Sequence, residues 1–256
     1  MHLSESTEKI IRSFERRACY FPEESTWSIV ENLNSYMFEL LIEHINTQSN
    51  PLVILDYGAG NGAVGRLFNA NGAIVDVADL SERMLARCEF ARRKFNVTSQ
   101  ILEGSYDGII LRQVLQYIAA VDWKDFLSDL FSHLKVGGCL IFSQIVPYCA
   151  VDYDFWHDLI ATRRPARQSF PTENEFLPIC DQLGLKVVHF SHSYTLQSLK
   201  DWISHEDRKF QEEIIRLIEK RSDAVNAIWS FEEHENDDLS WRNNWVHIVV
   251  RSMKGM

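Results

Sequence analysis

Residues 52–62 read Leu-Val-Ile-Leu-Asp-Tyr-Gly-Ala-Gly-Asn-Gly. The four apolar residues, two of them β-branched, predict a strand buried on both faces, the kind found in parallel sheets. That strand runs straight into three alternate glycines, and a helix is expected from Ala63 to Asn69. A strand, a glycine loop and a helix in succession restrict the chain to α/β architectures, because parallel strands need crossover connections. Gly58 and Gly60 can take backbone angles closed to other residues and let the backbone approach a ligand with no Cβ in the way. The helix start beyond supplies free N–H groups and a positive dipole end, which suits a nucleotide-like cofactor.

The alternation continues downstream. Ala73 to Ala78 reads as a second strand, and Ser81 as the N-cap of a helix running to Phe95. Thr98 to Leu102 is expected as a third strand and Tyr106 to Leu111 as a fourth. Trp123, Phe126, Leu127, Leu130, Phe131 and Leu134 form an apolar stripe on the next helix, which Gly137-Gly138 would end before a fifth strand, Cys139 to Ser143.

Upstream, helices are expected from about Ser6 to Arg17 and around Val30, Leu33, Met37, Leu40 and Leu41, with a break at Tyr20-Phe21-Pro22. Val146 to Phe170 breaks the strand–helix rhythm and is expected to be an insertion over the sheet edge, a lid. Thr172-Glu173-Asn174-Glu175 is a capping-box pattern, with Pro178 kinking or delaying the helix and Gly184 ending it. Lys186 to Thr195 reads as a strand, Ser198 to Trp229 as mostly helix and Trp245 to Arg251 as a last strand. The 256 residues then form one domain: a helical cap (1–48), a core (50–145), a lid insertion (146–171) and the remaining half of the sheet (172–256).

A formal net charge of −10 disfavours nucleic acid as a partner, since phosphate backbones are repelled at long range. Two local basic groups stand out, Arg92-Arg93-Lys94 and Arg163, Arg164 and Arg167. The latter would meet either an acidic acceptor or solvent. Five cysteines without a CxxC pair point away from a disulfide framework and a structural zinc, and no metal site is expected. His189 and His192, three apart on a strand, would point to opposite faces. The start of the sequence is polar and no run is apolar for the length of a membrane span, so a soluble cytoplasmic protein, monomeric or homodimeric, is expected.

The glycine loop alone leaves the cofactor open. Asp79 stands 21 residues after Gly58, close to the roughly 20 expected of an acid that accepts both hydroxyls of a ribose. Gly58-Ala59-Gly60-Asn61-Gly62-Ala63 also satisfies the G-x-G-x-x-G/A dinucleotide pattern, so both S-adenosylmethionine (SAM) and NAD fit.

Four segments in order narrow the choice. Ile54 to Gly62 resembles motif I of class I SAM-dependent methyltransferases. Asp76 to Leu85 is similar to the segment after their second strand, Tyr106 to Ile118 to their fourth strand and following turn, and Leu134 to Ile141 to their "LKPGG" turn into the fifth. The likeness covers about residues 50–145, and is to the small-molecule, ubiquinone-biosynthesis-like branch.

The resemblance implies a Rossmann-like, seven-stranded, mostly parallel sheet with the last strand antiparallel and helices on both faces. It implies SAM as cofactor and S-adenosylhomocysteine as product. Backbone at Gly58 and Gly60 would hold the methionine part, with Ala59, Asn61 and Gly62 of the same loop at the cofactor and Asp56 supporting the loop and the ammonium. Asp79 would grip the ribose, Leu80 would pack on adenine, Met84 would also lie at the cofactor, and Arg112 and Gln113 would border the methionine. The third strand of this family is followed by an acid for adenine and about ten further residues. With a third strand at 98–102 this connection is abbreviated, leaving Glu103 as a substitute or adenine held by backbone and stacking alone, with Gly104 and Ser105 also at the cofactor and adenine binding weakened or altered.

The sulfonium methyl is a strong electrophile, so a base is needed only for a protonated acceptor. Tyr20, Tyr117 and His157 are the candidates, each with packing as the competing role, as for Phe155 and Trp156. The expected activity is methyl transfer to oxygen or nitrogen of a small molecule. A SAM-fold protein without catalysis, favoured by the abbreviated third-to-fourth strand connection, and an NAD(P)-dependent oxidoreductase are the rivals.

Overall fold

The computed structural model describes residues 5–18, 28–234 and 238–252. Two helices come first, α1 (Glu5–Ala18) and α2 (Ser28–His44). Leu33, Met37, Leu40 and Leu41 are buried as the α2 periodicity requires, and the last three cluster with Ile54, Ile110 and Ile141. Each such side chain contributes roughly 2 kcal/mol of burial. The break at Tyr20-Phe21-Pro22, and with it the candidate Tyr20, lies outside the described residues.

β1 (Val53–Tyr57), α3 (Ala63–Ala70) and β2 (Ile74–Asp79) follow where the pattern puts them. The next unit departs from it. α4 (Glu82–Ala86) stops after one turn, capped by Ser81 Oγ, which accepts from Met84 N–H. β3 is Arg93–Asn96, not Thr98–Leu102. The cause is an ion pair that no local periodicity carries. Asp76 of β2 is wholly buried, and the guanidiniums of Arg92 and Arg93 close on its Oδ2 at 2.7 and 2.6 Å. Laying β3 beside β2 with Asp76 opposite Arg93 brings both arginines to one carboxylate. Tyr106 donates its hydroxyl to the same oxygen at 3.1 Å. Arg92 and Arg93 are thus structural counter-ions, not an open basic patch.

β4 (Tyr106–Arg112), α5 (Trp123–Ser132) and β5 (Leu134–Val146) complete the first half. β5 begins earlier than expected: Leu134 pairs with Tyr106, and the register shifts before Cys139 pairs with Gly108. Gly137 sits in this irregularity at φ 80°, where a Cβ would lie 2.1 Å from the Asn46 carbonyl oxygen. The glycine is required by the chain leaving α2, rather than by a helix stop.

Beyond β5 come α6 (Tyr153–Arg163) and α7 (Glu173–Gln182). Thr172 N–H donates to Glu175 Oε2 at 3.0 Å, and α7 runs through Pro178 from Glu173 without a later start. Then follow β6 (Leu185–Ser198), α8 (Leu199–Ile203), α9 (Arg208–Glu219), α10 (Asp223–Trp229), the two-residue β7 (Glu232–Glu233) and β8 (Leu239–Ser252).

The sheet order is β3-β2-β1-β4-β5-β8-β6, with β7 paired to β8 off this path. β1 to β5 are mutually parallel and β8 runs antiparallel to β5 and β6. This is the Rossmann-like arrangement, and it gathers the glycine loop and the ends of β2, β4 and β5 at one edge. One apolar cluster lies under α2 and α3 and a second under α5 and α7. A third joins α6 to α8, α9 and α10 through Trp156, Trp202, Ile214 and Trp229. No helix among the described residues is long and apolar enough to cross a membrane.

Burial alone would raise the Asp76 pKa, but the hydrogen bonds and charges of Arg92 and Arg93 outweigh it and hold the carboxyl below its ordinary value. A depressed carboxyl stabilises the fold above the unfolded-state pKa near 4 and loses that contribution as pH falls through the folded value. Asp76→Asn is expected to cost roughly 2 kcal/mol in urea unfolding at pH 7, less than a fully buried pair because both guanidiniums keep water contact. The deficit should shrink below about pH 4.

Candidate active site

All three loop glycines take left-handed angles: φ is 70° at Gly58, 55° at Gly60 and 74° at Gly62. A Cβ at Gly58 would lie 2.3 Å from Val114 Cγ2, so the turn after β4 presses against the loop, whereas a Cβ at Gly60 would meet nothing within 4 Å. Room for a ligand therefore lies over Gly60.

The loop's N–H groups are largely committed to the fold. Gly58 and Ala59 both donate to Ala78 O (2.7 and 3.1 Å), and Gly62 donates to Ala59 O (2.9 Å). Gly60 N–H donates to Asp79 Oδ2 and Ser81 N–H to Asp79 Oδ1, each at 2.9 Å. At the start of α3, Gly65 N–H donates to Asp56 Oδ2 at 2.9 Å. The free donors expected at the loop and helix start are thus in good part taken, and two buried carboxylates stand in their place.

Those carboxylates are poorly hydrated. Burial pushes Asp56 up to about 6 against the opposing charge of Arg112, and burial likewise raises Asp79 despite its backbone hydrogen bonds. Arg112 ends β4, and burial lowers its pKa against the attraction of Asp56. Its Nη1 donates to Asn34 Oδ1 of α2 at 2.5 Å. Gln113 follows at φ 57°, an unusual angle for a side-chain-bearing residue, held by its N–H to Ser143 O at 2.9 Å. Leu80 is half-buried beside Asp79, and Met84 is wholly buried in packing.

The corrected β3 changes the other end of the site. Nine residues, Val97 to Ser105, now separate β3 from β4, so the connection is not abbreviated. The feature that favoured a non-catalytic protein is therefore gone. Glu103, Gly104 and Ser105 precede β4 and so lie at the far end of that strand from Arg112, roughly 20 Å away over seven residues. There the Glu103 carbonyl accepts from Tyr106 Oη and Arg93, and His133 Nδ1 contacts Gly104 O. All three leave the candidate site. Asn96, the register partner of Asp79, ends β3 in their stead. Its Oδ1 accepts from Thr98 N–H and its Nδ2 donates to Glu82 Oε1. A cleft of about 200 Å³ opens there, lined by Glu82, Leu85, Ala86, Lys94, Asn96 and Gln100. The sequence signal for this strand end is Phe95-Asn96, a buried pair followed by turn residues.

Helix α1 closes over the end of β2. Glu15 Oε1 accepts from Ser81 Oγ at 2.7 Å, and Arg87 donates to Ala18 O. Phe14 meets Tyr117 edge-on, 5.1 Å between centroids, on the turn that carries Val114. Segment 168–169 is clamped to that turn: Ser169 Oγ donates to Leu115 O and Ile118 O, and Gln168 Nε2 to Tyr117 O. His157 instead contacts Tyr153, Asp158 and Phe170 on the α6 side. Phe155 and Trp156 pack onto Trp229 and Phe170. Arg163 and Arg164 pair with Glu206, with side chains only 14% and 12% exposed, so neither is a solvated face. Among the described residues no group of three His, Cys, Asp or Glu side chains is placed to hold a metal.

The fold and this edge define the class I methyltransferase architecture. A methyltransferase-domain family profile matches residues 29–190, more than half of the chain, and the chain belongs to that family. It is 24% identical over 157 residues to a ubiquinone biosynthesis O-methyltransferase of Rickettsia akari, a match over 56% of this chain and 62% of that relative. Among solved structures it resembles the YcgJ protein of Bacillus subtilis (TM-score 0.71, 16% identity, 86% and 100% of the two chains). It also resembles the geranyl diphosphate C-methyltransferase of Streptomyces coelicolor, solved with S-adenosylhomocysteine (TM-score 0.61, 13% identity, 99% and 100%). At these identities the likeness shows the fold.

Because Asp56 keeps its proton to a higher pH when folded than when unfolded, stability falls as pH rises from about 4 to about 6 and is flat above. A carboxyl raised over that range costs on the order of 3 kcal/mol once it is ionised. Asp56→Asn, which can still accept from Gly65 N–H, is expected to be more stable than the wild type at pH 7.5 by about 2 kcal/mol in urea unfolding. The two proteins should converge near pH 4. Equal stability at both pH values would show that the carboxylate is not desolvated.

Proposed function

We propose that this chain transfers the methyl group of S-adenosylmethionine to an oxygen or nitrogen of a small-molecule acceptor. The observation that carries the choice of cofactor is the commitment of the loop's donors. A dinucleotide pyrophosphate needs free N–H groups at the glycine loop and helix start. Here Gly58, Ala59, Gly60, Gly62 and Gly65 donate within the fold, and Asp56 occupies the helix start. Two buried carboxylates border this loop, a cradle for an ammonium and a ribose, and the room over Gly60 fits such a group.

When bound, SAM supplies an electrophilic methyl that needs no further activation. The protein's part is to hold, align and exclude water. Asp79, fixed by Gly60 and Ser81, keeps lone pairs for the ribose hydroxyls, and Asp56 is placed for the ammonium. Leu80 packs on adenine, with Asn96 and the cleft beside it at the end assigned from sequence to Glu103. α1 shields the edge through Glu15. Tyr117 is the better placed of the base candidates, because its turn also carries Val114 against Gly58; His157 faces Phe170 instead. The Rickettsia relative is named for O-methylation and the Streptomyces structure holds geranyl diphosphate, which supports a small-molecule acceptor here.

A thermal-shift and calorimetry panel of SAM, S-adenosylhomocysteine, NAD and NADP tests this. The first two are expected to stabilise the protein, by about 2.7 kcal/mol at a hundredfold excess over Kd. Asp79→Asn should weaken them at least about tenfold, or ~1.4 kcal/mol, and Glu103→Ala should leave them unchanged. Stabilisation by NAD alone would sink the proposal, and stabilisation by none would favour a protein without catalysis.

A further inference from the structure

The two edges of the sheet are built differently. β3 closes one edge with four residues, two of them the charged Arg93 and Lys94. Short length and charge are common protections of an open strand edge. β6 forms the other edge with fourteen residues, roughly 45 Å of strand, and among the described residues no strand lies beyond it. Residues 185–198 contain no proline and no carboxylate, and Lys186 is their only lysine or arginine. The one register shift against β8, between Val187 and His189, also lies near the start. From His189 to Ser198 the pairing is regular, so the outer side of β6 presents an ordered row of N–H and C=O groups.

The side chains along this stretch are apolar where they meet water. Phe190, His192, Tyr194 and Leu196 alternate onto the face that α7 covers over β8. Phe190 is 45%, Tyr194 59% and Leu196 47% exposed. Tyr148 stacks beside Tyr194, with centroids 5.8 Å apart, and still leaves most of it open. A long unpaired edge carrying large exposed apolar side chains is a template for another strand.

Charge and symmetry select a second copy of the chain as that strand. At a net charge of −10, two copies repel each other at long range, and the carboxylate-free β6 edge is a place where they can approach. An antiparallel strand pairs with its own copy about a two-fold axis. With the axis at His192, Phe190 of each copy stands opposite Tyr194 of the other, giving two aromatic cross-strand pairs on one face. Residues 189–195 of the two copies would exchange about six to eight main-chain hydrogen bonds.

We propose that β6 is the interface of a homodimer, in which two copies join edge to edge about a two-fold axis at His192 into one continuous sheet. β6 runs parallel to β5, because β8 is antiparallel to both. The antiparallel β6 pair therefore sends the two glycine-loop edges to opposite ends of the joint sheet, and neither copy lends a residue to the other's site. The interface does not depend on methyl transfer.

Sedimentation velocity on the full chain from about 1 to about 100 μM tests this. The expected species at the upper end is a dimer of twice the 29.8 kDa chain mass, dissociating on dilution. Phe190→Lys or Tyr194→Glu alone disrupts both aromatic pairs, since symmetry counts each substitution twice, and should weaken dimerisation roughly 30-fold. The double variant sets opposite charges face to face at both pairs and should recover most of that loss. Both side chains are exposed, so the melting temperature of the dilute monomer should not move. Hydrogen exchange on the wild type reads the same interface without substitution: protection at alternate amides of 189–195 should rise with concentration, while β3 stays unchanged. A wild type that is monomeric at 100 μM, a dimer indifferent to both single variants, or a double variant no tighter than either single would overturn the proposal.

Discussion

The site depends on two buried carboxylates binding backbone N–H groups. Asp79 takes one from the glycine loop and one from the start of α4, joining the ends of β1 and β2. Asp56 takes one from the start of α3. Hydrogen bonds to a charged acceptor contribute about 1.5–3 kcal/mol each. They hold the loop in a shape that its left-handed glycines make possible but do not enforce. They also decide its chemistry, because the same loop with its donors free would receive a phosphate.

The rest of this edge is assembled from distant parts of the chain. α1 reaches it through Glu15 and Phe14, α2 through Asn34 on Arg112, and the segment after α6 through Ser169 and Gln168 on the turn carrying Val114 and Tyr117. α6 is in turn held by the aromatic cluster it shares with α8, α9 and α10. The packing of that helical layer therefore reaches the turn at the end of β4 through the hydrogen bonds of Gln168 and Ser169.

Several parts of the fold are legible in the sequence because they obey local rules. The glycine loop, Asp79 at the end of β2, the Ser81 cap, the α5 stripe and the Thr172–Glu175 pair each involve residues a few positions apart or a strand's length of pattern. The β3 segment misleads because Arg92, Arg93 and Lys94 look like the polar face of a helix. Only the buried Asp76 reveals that two of them point inward. Misplacing β3 also misplaces Glu103, Gly104 and Ser105, which strand direction puts at the opposite end of the sheet.

The sequence by itself determined the α/β class, the position of the glycine loop and the acid at the end of β2, since strand–loop–helix periodicity and glycine conformations are local. Only the tertiary structure decided which loop donors stay free, where β3 lies and what surrounds Arg112. Those depend on partners far apart in the chain, such as Asn34 with Arg112, 78 residues away, and Ser143 with His247, 104 residues away. The geometry of such contacts is fixed by how the sheet stacks its strands, and no short stretch of sequence encodes it.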